Sequence, residues 1–329
     1  MARERSHVRK KRRGCLSGCL TNLLLALGLV SLLFVGACVL GFVKNDPQTG
    51  KPSLSLDGLK GLENVKLPEI DLSDVKLPAW AYGVSRTGLT VKTLRAGSGE
   101  AVLVCADGYT MLLGGGSGMG AALTGQLLLC GVNHLNAVAA MGSQPEQIGG
   151  LPLAVTLMPP QYLLFQNTQT KGTAYNRLMT QAQKKGSIQA IVPKQGLAFY
   201  LGRALVTVVG PARTVHTDER NDGLSIRIDY GNTSVLVMGG IAASGERELI
   251  ASRVNLDADA LICAQGGGEE ATCAELVSAV SPRVALMTGK NPANTVKVRL
   301  TRAGAQVYTA KEHGVMTLVS DGQTIQVQP

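Results

Sequence analysis

The stretch from Asn136 to Pro152, with the sequence NAVAAMGSQPEQIGGLP, decides how the flanking chain is interpreted. Its first residues are small and apolar, which predicts a short buried strand. A polar hexapeptide, residues 142–147, follows this run, and the hexapeptide is followed by Ile148, a pair of glycines, Leu and Pro. The stretch therefore predicts a strand, a polar loop and a glycine-rich turn in succession.

Short apolar and β-branched runs, separated by glycine and Asp-Gly turns, extend from Leu89 to the end of the chain. Besides the strand at Asn136, the predicted strands are residues 89–94, 101–105, 109–113, 153–157, 188–192, 204–209, 224–230, 234–238, 260–263, 284–287, 315–319 and 325–327, with one at Val307. The predicted helices are residues 121–130, 174–185, 246–252, 271–280 and 295–303. Hairpins followed by helix–strand alternation predict an α/β (α+β) fold with two mixed sheets and helices outside them.

Positive charge is concentrated at the N-terminus of this 329-residue chain. Residues 1–13 carry seven Lys and Arg side chains against one Glu, a net charge of +6 out of the total of +9. Residues 14–43 carry no charge, and the 21 mostly apolar residues from Leu23 to Val43 would span ~31 Å as a helix, enough to cross a bilayer core of about 30 Å. We predict a cytoplasmic tail (1–20), a transmembrane helix (21–43) and an extracytoplasmic remainder in the cell membrane.

Two alternatives to an uncleaved anchor stay open at this point. One is a cleaved secretory signal, and the other is a lipoprotein signal with Cys38 as the lipid attachment site. Residues 44–88 contain turn and breaker residues and repeat Val-Lys-Leu-Pro after ten residues, which predicts a stalk or linker. Trp80 and Tyr82 close this stalk, either as the first contact with the domain or as an anchor at the membrane interface.

The cysteine pattern does not predict a disulfide framework. Three cysteines, Cys15, Cys19 and Cys38, belong to the anchor region, and the outer region holds Cys105, Cys130, Cys263 and Cys273 without a Cys-x-x-Cys pair. We predict that these four are small buried apolar residues, and one bridge among them stays open.

Residues 89–327 resemble the metallo-β-lactamase superfamily, most closely its DNA-uptake competence branch (ComEC-type domains). The resemblance is carried by framework sequences in register with the family, namely Ile148–Gly150, Gly97–Gly99, Gly114–Gly116, Ser281–Ala285 and Ala303–Tyr308. It implies an αββα metallo-β-lactamase-like sandwich over residues 89–329, with a two-metal site in the loops at the strand ends.

The family's metal-ligand positions, however, hold residues that bind metals poorly, with the single exception of Glu146. Gly142, Gln144, Glu146 and Gln147 stand where the family has its His-x-His-x-Asp-His loop, and the later positions hold Gly240, Gln265 and Asn291. A catalytic metal needs about three ligands from His, Cys, Asp or Glu. The resemblance therefore implies the fold with degenerate motifs: no metal, cofactor or catalytic residue, and a former metal-site cleft in which Gln144, Glu146, Gln147 and Gln265 are candidate ligand contacts.

These observations predict a membrane-anchored pseudoenzyme that binds or scaffolds an unknown protein or small-molecule partner. The alternative is a competence-related metal-dependent phosphodiesterase or nuclease that recruits Glu146, Asp218 and Asp222. Nucleic acid binding is disfavoured, because the +9 of the chain less the +6 of residues 1–13 leaves only +3 for the outer region. The glycine run of residues 116–121 fits a dinucleotide loop, but no βαβ unit with a ribose-binding acid is evident.

Overall fold

This computed structural model describes residues 43–45, 52–54 and 87–328, apart from residues 98, 100, 119 and 169–171. The chain divides into two units, Met1–Asp71 and Leu72–Pro329. In the first unit, strand β1 (Val43–Asn45) pairs antiparallel with β2 (Pro52–Leu54). The predicted tail, the predicted membrane segment up to residue 42, and Trp80 and Tyr82 lie outside the described residues. Among the described residues, no helix combines the length and hydropathy needed to cross a bilayer.

Two mixed sheets form the centre of the second unit. Their strands are β3 (Leu89–Thr93), β4 (Val102–Ala106), β5 (Tyr109–Leu113), β6 (Ala137–Ala139), β7 (Tyr162–Leu164), β8 (Gln189–Ile191), β9 (Ala198–Leu201), β10 (Ala204–Gly210), β11 (Ser225–Tyr230), β12 (Thr233–Val237), β13 (Ala260–Ile262), β14 (Val284–Met287), β15 (Gln306–Thr309), β16 (Thr317–Ser320) and β17 (Ile325–Gln328). The first sheet has the order β17-β16-β3-β4-β5-β6-β7-β8, and the second has the order β15-β14-β13-β12-β11-β10-β9. Each sheet is antiparallel in one half and parallel from β5 to β8 or from β12 to β15.

Helices connect the parallel strands, as crossover connections require. They are α1 (Gly120–Leu129), α2 (Pro145–Ile148), α3 (Leu151–Leu157), α4 (Thr173–Lys185), α5 (Ala243–Ala251), α6 (Ala274–Val280), α7 (Asn294–Arg302) and, after β15, α8 (Ala310–His313), with short 3-10 helices at Glu219–Asp222 and Ala264–Gly266. Most of these bounds lie within a few residues of the predicted ones.

Three hydrophobic cores separate four layers. In β4, Val102 and Val104 face the core between the two sheets, and Leu103 faces the outer core that α1, α3 and α4 cover. In β12, Val235 faces the same central core, and Leu236 faces the outer core that α5, α6 and α7 cover. Strands that are buried on both faces have continuous apolar sequences, which is why these strands could be predicted from the sequence. The predicted two-sheet sandwich with outer helices is confirmed.

The predicted strand at residues 153–157 is wrong, because this segment is part of helix α3. Its β-branched residues favour a strand locally, but Pro152 is suited to the first turn of a helix. Leu151 and Ala154, one helical turn apart, enter the outer core together. Packing against neighbouring helices therefore overrides the local preference.

The four cysteines of the outer region are buried and form no disulfide bond. Cys130, Cys263 and Cys273 lie in the outer cores, and Cys105 lies on the buried strand β4. Their predicted role as small buried residues is confirmed.

One polar cluster joins the two sheets at the end opposite the parallel strand termini. Asp107, in the β4–β5 turn, accepts hydrogen bonds from Arg203 Nε at 2.9 Å, from Arg203 Nη2 at 2.9 Å and from Tyr230 Oη at 2.9 Å. The Arg203 guanidinium holds the pKa of the Asp107 carboxyl well below its ordinary range. The backbone N–H of Gly88 also donates to Asp107, at 3.2 Å, so the chain joins the domain at this cluster.

Candidate functional site

Loops from both sheets meet at the edge of the sandwich where the parallel strands end. These loops follow β3, β5, β6, β12, β13 and β14, and each of them contains glycine. They contact one another through their backbones, since Ser117 N donates to Ala96 O at 2.7 Å and Gly289 N donates to Gly266 O at 2.9 Å. This is the edge at which α/β sheets bind ligands, and it is where the resemblance places the former metal-site cleft.

The side chain of Gln147 fills the centre of this cleft. A Cβ atom at position 142 would lie 1.6 Å from Gln147 Oε1, and one at position 240 would lie 1.4 Å from Gln147 Nε2. The carboxamide therefore lies between Gly142 and Gly240, and a side chain at either position would displace it from this conformation. Gly142, Gln147 and Gly240, which correspond to metal-ligand positions in the resemblance, are thus brought together, and the only side chain among them is a neutral carboxamide.

Gln265 reaches the same loop from the second sheet. Its Nε2 donates to the carbonyl oxygens of Gly240 at 3.4 Å and of Ile241 at 3.2 Å. Its backbone lies in the left-handed region, with φ at 51°, which is a strained conformation for a residue other than glycine. Strain of this kind is retained where surrounding contacts fix the side chain. Gln265 and Gln147 both lie against Gly240, so they are the predicted site residues that the structure brings together.

The other predicted site residues lie at the margin. Gln144 is half-buried and precedes α2, where its side chain makes no capping hydrogen bond. Glu146 is exposed in the first turn of α2. Asn291 is exposed as well. Glu146, the one carboxylate in the polar hexapeptide, is therefore not buried in the cleft.

The glycine run before α1 serves contacts within the protein. β5, α1 and β6 form a βαβ unit with parallel strands, but this unit lacks the ribose-binding acid of a dinucleotide site. A Cβ atom at position 116 would lie 2.0 Å from Ala96 O, and one at position 149 would lie 2.2 Å from Gly118 N. Only glycine permits these backbone approaches. No acidic residue follows β6 at Ala140 or Met141, where a ribose-binding acid would stand.

Sequence reasoning missed an ionic network beside the cleft. His216 Nδ1 lies 2.8 Å from Asp222 Oδ1, and His216 Nε2 lies 2.8 Å from Glu248 Oε2. Arg213 binds the same glutamate with two nitrogens. These residues come from a loop and from α5, up to 35 residues apart in the chain, so no spacing in the sequence could reveal the network.

Two of the three acids of the alternative hydrolase interpretation, Asp218 and Asp222, are engaged elsewhere. Asp222 belongs to the His216 network, and Asp218 binds the guanidinium of Arg220, which lowers the pKa of Asp218. Arg220 also binds Glu270. Each of these carboxylates would have to leave a basic partner before it could bind a metal.

The donors inside the cleft do not fit the metals of the family. They are the carboxamides of Gln147 and Gln265 and the buried hydroxyl of Ser143, which has no hydrogen-bond partner among the described residues. Neutral amide oxygens are poor ligands for zinc, which prefers His and thiolate. Within the described part of the chain, no three His, Cys, Asp or Glu side chains lie close enough together to hold a metal ion. What the cleft offers is hydrogen bonding without net charge.

No family model and no curated protein matches this sequence. Among solved structures, the chain is similar to the metallo-β-lactamase fold protein YhfI from Bacillus subtilis, with 17% identity, a TM-score of 0.45 and coverage of 69% of this chain and 98% of that one. A metallo hydrolase from Ignicoccus hospitalis has 15% identity, a TM-score of 0.44 and coverage of 73% and 99%. CmlA, a diiron β-hydroxylase from Streptomyces venezuelae, has 11% identity, a TM-score of 0.45 and coverage of 71% and 54%. Identities of this size carry no residue role or activity over to this chain.

Proposed function

We propose that this chain is a membrane-anchored, extracytoplasmic protein whose metallo-β-lactamase-like domain, related to the competence branch, has lost its metals and binds or scaffolds a partner. The observation that carries the proposal is the carboxamide of Gln147 between Gly142 and Gly240. A metal site needs about three anionic or imidazole ligands and an open position for water. Here a neutral side chain fills the space between the positions that should supply them.

The chemistry of the cleft supports recognition of an uncharged, polar group. Gln147 and Gln265 present carboxamides, each of which can donate and accept hydrogen bonds. Gln144, half-buried at the margin, adds a third carboxamide, and Glu146 supplies an exposed carboxylate. A site whose carboxamides pair with a ligand discriminates against analogues that lack the matching hydrogen-bonding group.

The first prediction concerns metal content. Full-length protein purified in detergent without chelator is expected to contain less than stoichiometric zinc, manganese or iron, and its thermal midpoint should not change when chelator is added. Elemental analysis and a thermal melt measure both quantities. One or two tightly bound metals per chain, or a midpoint that falls in chelator, would favour the metal-dependent hydrolase instead.

A variant with restored ligands is the matched control for this experiment. It carries Gly142→His, Gln144→His, Glu146→Asp, Gln147→His and Gly240→Asp together, because a side chain at 142 or 240 alone collides with Gln147. In chelator its free energy of unfolding should fall by roughly 1 to 3 kcal/mol for each buried unpaired group. Added zinc should recover part of that loss by binding only the folded state. This control demonstrates that the assay detects a metal when ligands exist.

The second prediction concerns topology. The +6 tail before an uncharged segment supports a cytoplasmic N-terminus and an external domain. Protease added to intact cells is therefore expected to cut between Lys44 and Ser85 and to release the domain. A cytoplasmic protein of the same cells is the control. If the domain is cut only after lysis, the proposed orientation is wrong.

A further inference from the structure

An aromatic cleft opens where the central core between the two sheets reaches solvent. It lies between β7 and β8, the last strands of the first sheet, and β9, the last strand of the second. Leu164 and Leu201, which are buried members of the central core, line its inner part. Its volume is about 430 Å³, and small-molecule sites usually have roughly 300 to 1,000 Å³. The cleft can therefore hold a small organic molecule.

Aromatic side chains line the outer part of this cleft. Tyr162 and Phe199 are half-buried and pack against the central core from opposite sheets. Tyr109 and Tyr200 also line the cleft, but they are 52% and 74% exposed. Aromatic rings bind other flat rings by offset stacking or by edge-to-face contact. The lining therefore favours a ligand that contains a flat aromatic ring.

Two carboxamides give the cleft a defined hydrogen-bonding pattern. Asn136 lies directly before β6, and its Oδ1 accepts a hydrogen bond from the backbone N–H of Thr110 at 2.9 Å. That bond fixes the orientation of the group, so its amino end is left as a donor. Gln161 lies directly before β7, and its Nε2 donates to Tyr162 Oη at 3.2 Å, which leaves its Oε1 as an acceptor. A ligand with a carboxamide of its own can pair with both groups.

The charge of the lining restricts the ligand further. Among the described residues that line the cleft, none is charged. Arg203 and Asp107 line an adjoining open pocket that shares Tyr109 and Tyr200, but they form an ion pair with each other at 2.9 Å. A charged group that entered the cleft would lose its water without gaining an oppositely charged partner, which is unfavourable. The cleft therefore selects an uncharged ligand.

We infer that the aromatic cleft is a second binding site, which holds an uncharged, flat aromatic molecule that bears a carboxamide or a similar group. The ring of the ligand packs against the half-buried aromatic side chains, and its polar group pairs with Asn136 and Gln161. These two residues stand at the amino ends of β6 and β7, whereas the former metal-site cleft lies where the parallel strands end. Binding here therefore does not depend on whether that cleft holds a metal.

Equilibrium dialysis of the full chain in detergent tests this site with three probes that share one fused ring pair. The probes are 2-naphthamide, 2-naphthoate and naphthalene, and ultraviolet absorbance measures the amount retained. We expect 2-naphthamide to bind stoichiometrically. The affinity for 2-naphthoate should be lower by roughly tenfold or more, because its charge would be buried without a partner. The affinity for naphthalene should be several-fold lower, because it leaves the carboxamides of the cleft unpaired.

Variants locate the bound probe. Tyr109→Ala together with Tyr200→Ala should lower the affinity for 2-naphthamide several-fold, and both positions are exposed enough for the variant to fold, which far-UV circular dichroism verifies. Leu129→Ala together with Val298→Ala, at exposed apolar positions on α1 and α7, is the matched control and should bind like the parent. Uptake of the probe by detergent is the same in every sample, so it cancels in the comparison.

A gain of binding provides a second test, which loss of folding cannot imitate. Gln161→Lys places an ammonium group at an exposed position of the lining. This variant should raise the affinity for 2-naphthoate several-fold, because the carboxylate then has a charged partner.

Three results would overturn the inference. The first is that the parent chain retains no 2-naphthamide, or retains 2-naphthoate equally well. The second is that the tyrosine variant keeps the affinity of the parent and Gln161→Lys gains none for 2-naphthoate. The third is that Gln147→Ala abolishes binding while the tyrosine variant keeps it, which would place the probe in the former metal-site cleft. None of these results changes the metal content of the protein, so they are distinguishable from failure of the proposed function.

Discussion

Replacing His216 with alanine is expected to lower the free energy of unfolding by about 3 to 5 kcal/mol, because a buried carboxylate then loses its partner. The ring nitrogens lie 2.8 Å from Asp222 and 2.8 Å from Glu248. The side chains of His216 and Asp222 are 5% and 6% exposed, so water does not replace the lost contact. Urea denaturation of the full chain measures the change.

Two further variants separate this effect from a general loss of histidine. His134→Ala removes an exposed histidine and should leave the stability nearly unchanged. The double variant with His216→Ala and Asp222→Ala should recover part of the loss, because the unpaired charge is removed with its partner. A loss below about 1 kcal/mol for His216→Ala would place the network among surface ion pairs and contradict its structural importance.

Glu246 is the second position at which a large effect is expected. Its side chain is fully buried, and its carboxylate accepts hydrogen bonds from the backbone N–H of Thr272 at 2.6 Å and of Cys273 at 2.7 Å. Glu246→Ala leaves both donors unpaired at about 1 to 3 kcal/mol each, so we expect a loss of about 2 to 6 kcal/mol. Urea denaturation at neutral pH measures it, with the exposed Glu269→Ala as the control. A loss no larger than that of the control would contradict the prediction.

The same residue gives the stability of the domain a defined dependence on pH. Burial raises the pKa of the Glu246 carboxyl above its ordinary value of 4.5, although the hydrogen bonds from Cys273 and Thr272 oppose this shift. Because the folded-state pKa is the higher one, this carboxyl stabilises the fold fully below the unfolded pKa, and the contribution is lost as pH rises through the folded-state pKa. Glu246→Gln cannot titrate, so the variant should lose less stability than the parent as the pH rises above the ordinary carboxyl pKa of 4.5. An identical pH profile would contradict this expectation.

These predictions bear on the cleft because both networks support its loops. Asn221, in the segment between His216 and Asp222, accepts a hydrogen bond from the N–H of Ala242 at 3.0 Å, next to the loop that Gln265 contacts. Glu246 fixes the backbone at Thr272, in the loop that begins with Gln265. Loss of either network should therefore disturb the cleft as well as the overall stability.

Local chemistry let the sequence alone determine most of the elements. The hairpin of β4 and β5 was predictable because apolar runs flank Asp107 and Gly108, both of which have positive φ in the turn. Helix α4 was predictable because its turns are polar outside and it ends at Gly186 in the left-handed conformation. The succession of such elements also determined the two-sheet sandwich with outer helices, since only those layers bury all of its apolar faces.

Tertiary structure alone decided the remaining features. The segment of residues 153–157 is helical because its core contacts come from α1 and α4, which no local pattern contains. The short strands β7 and β9 were not predicted, because three or four residues are too few to show a clear strand pattern. Pairing with the neighbouring strands β6 and β10 stabilises them instead. Gly142 and Gly240 are 98 positions apart in the sequence numbering, and only the folded chain places them on either side of the Gln147 carboxamide. The sequence indicated which residues stand at the ligand positions of the family it resembles, and the contacts between distant loops decided that the Gln147 side chain lies among them.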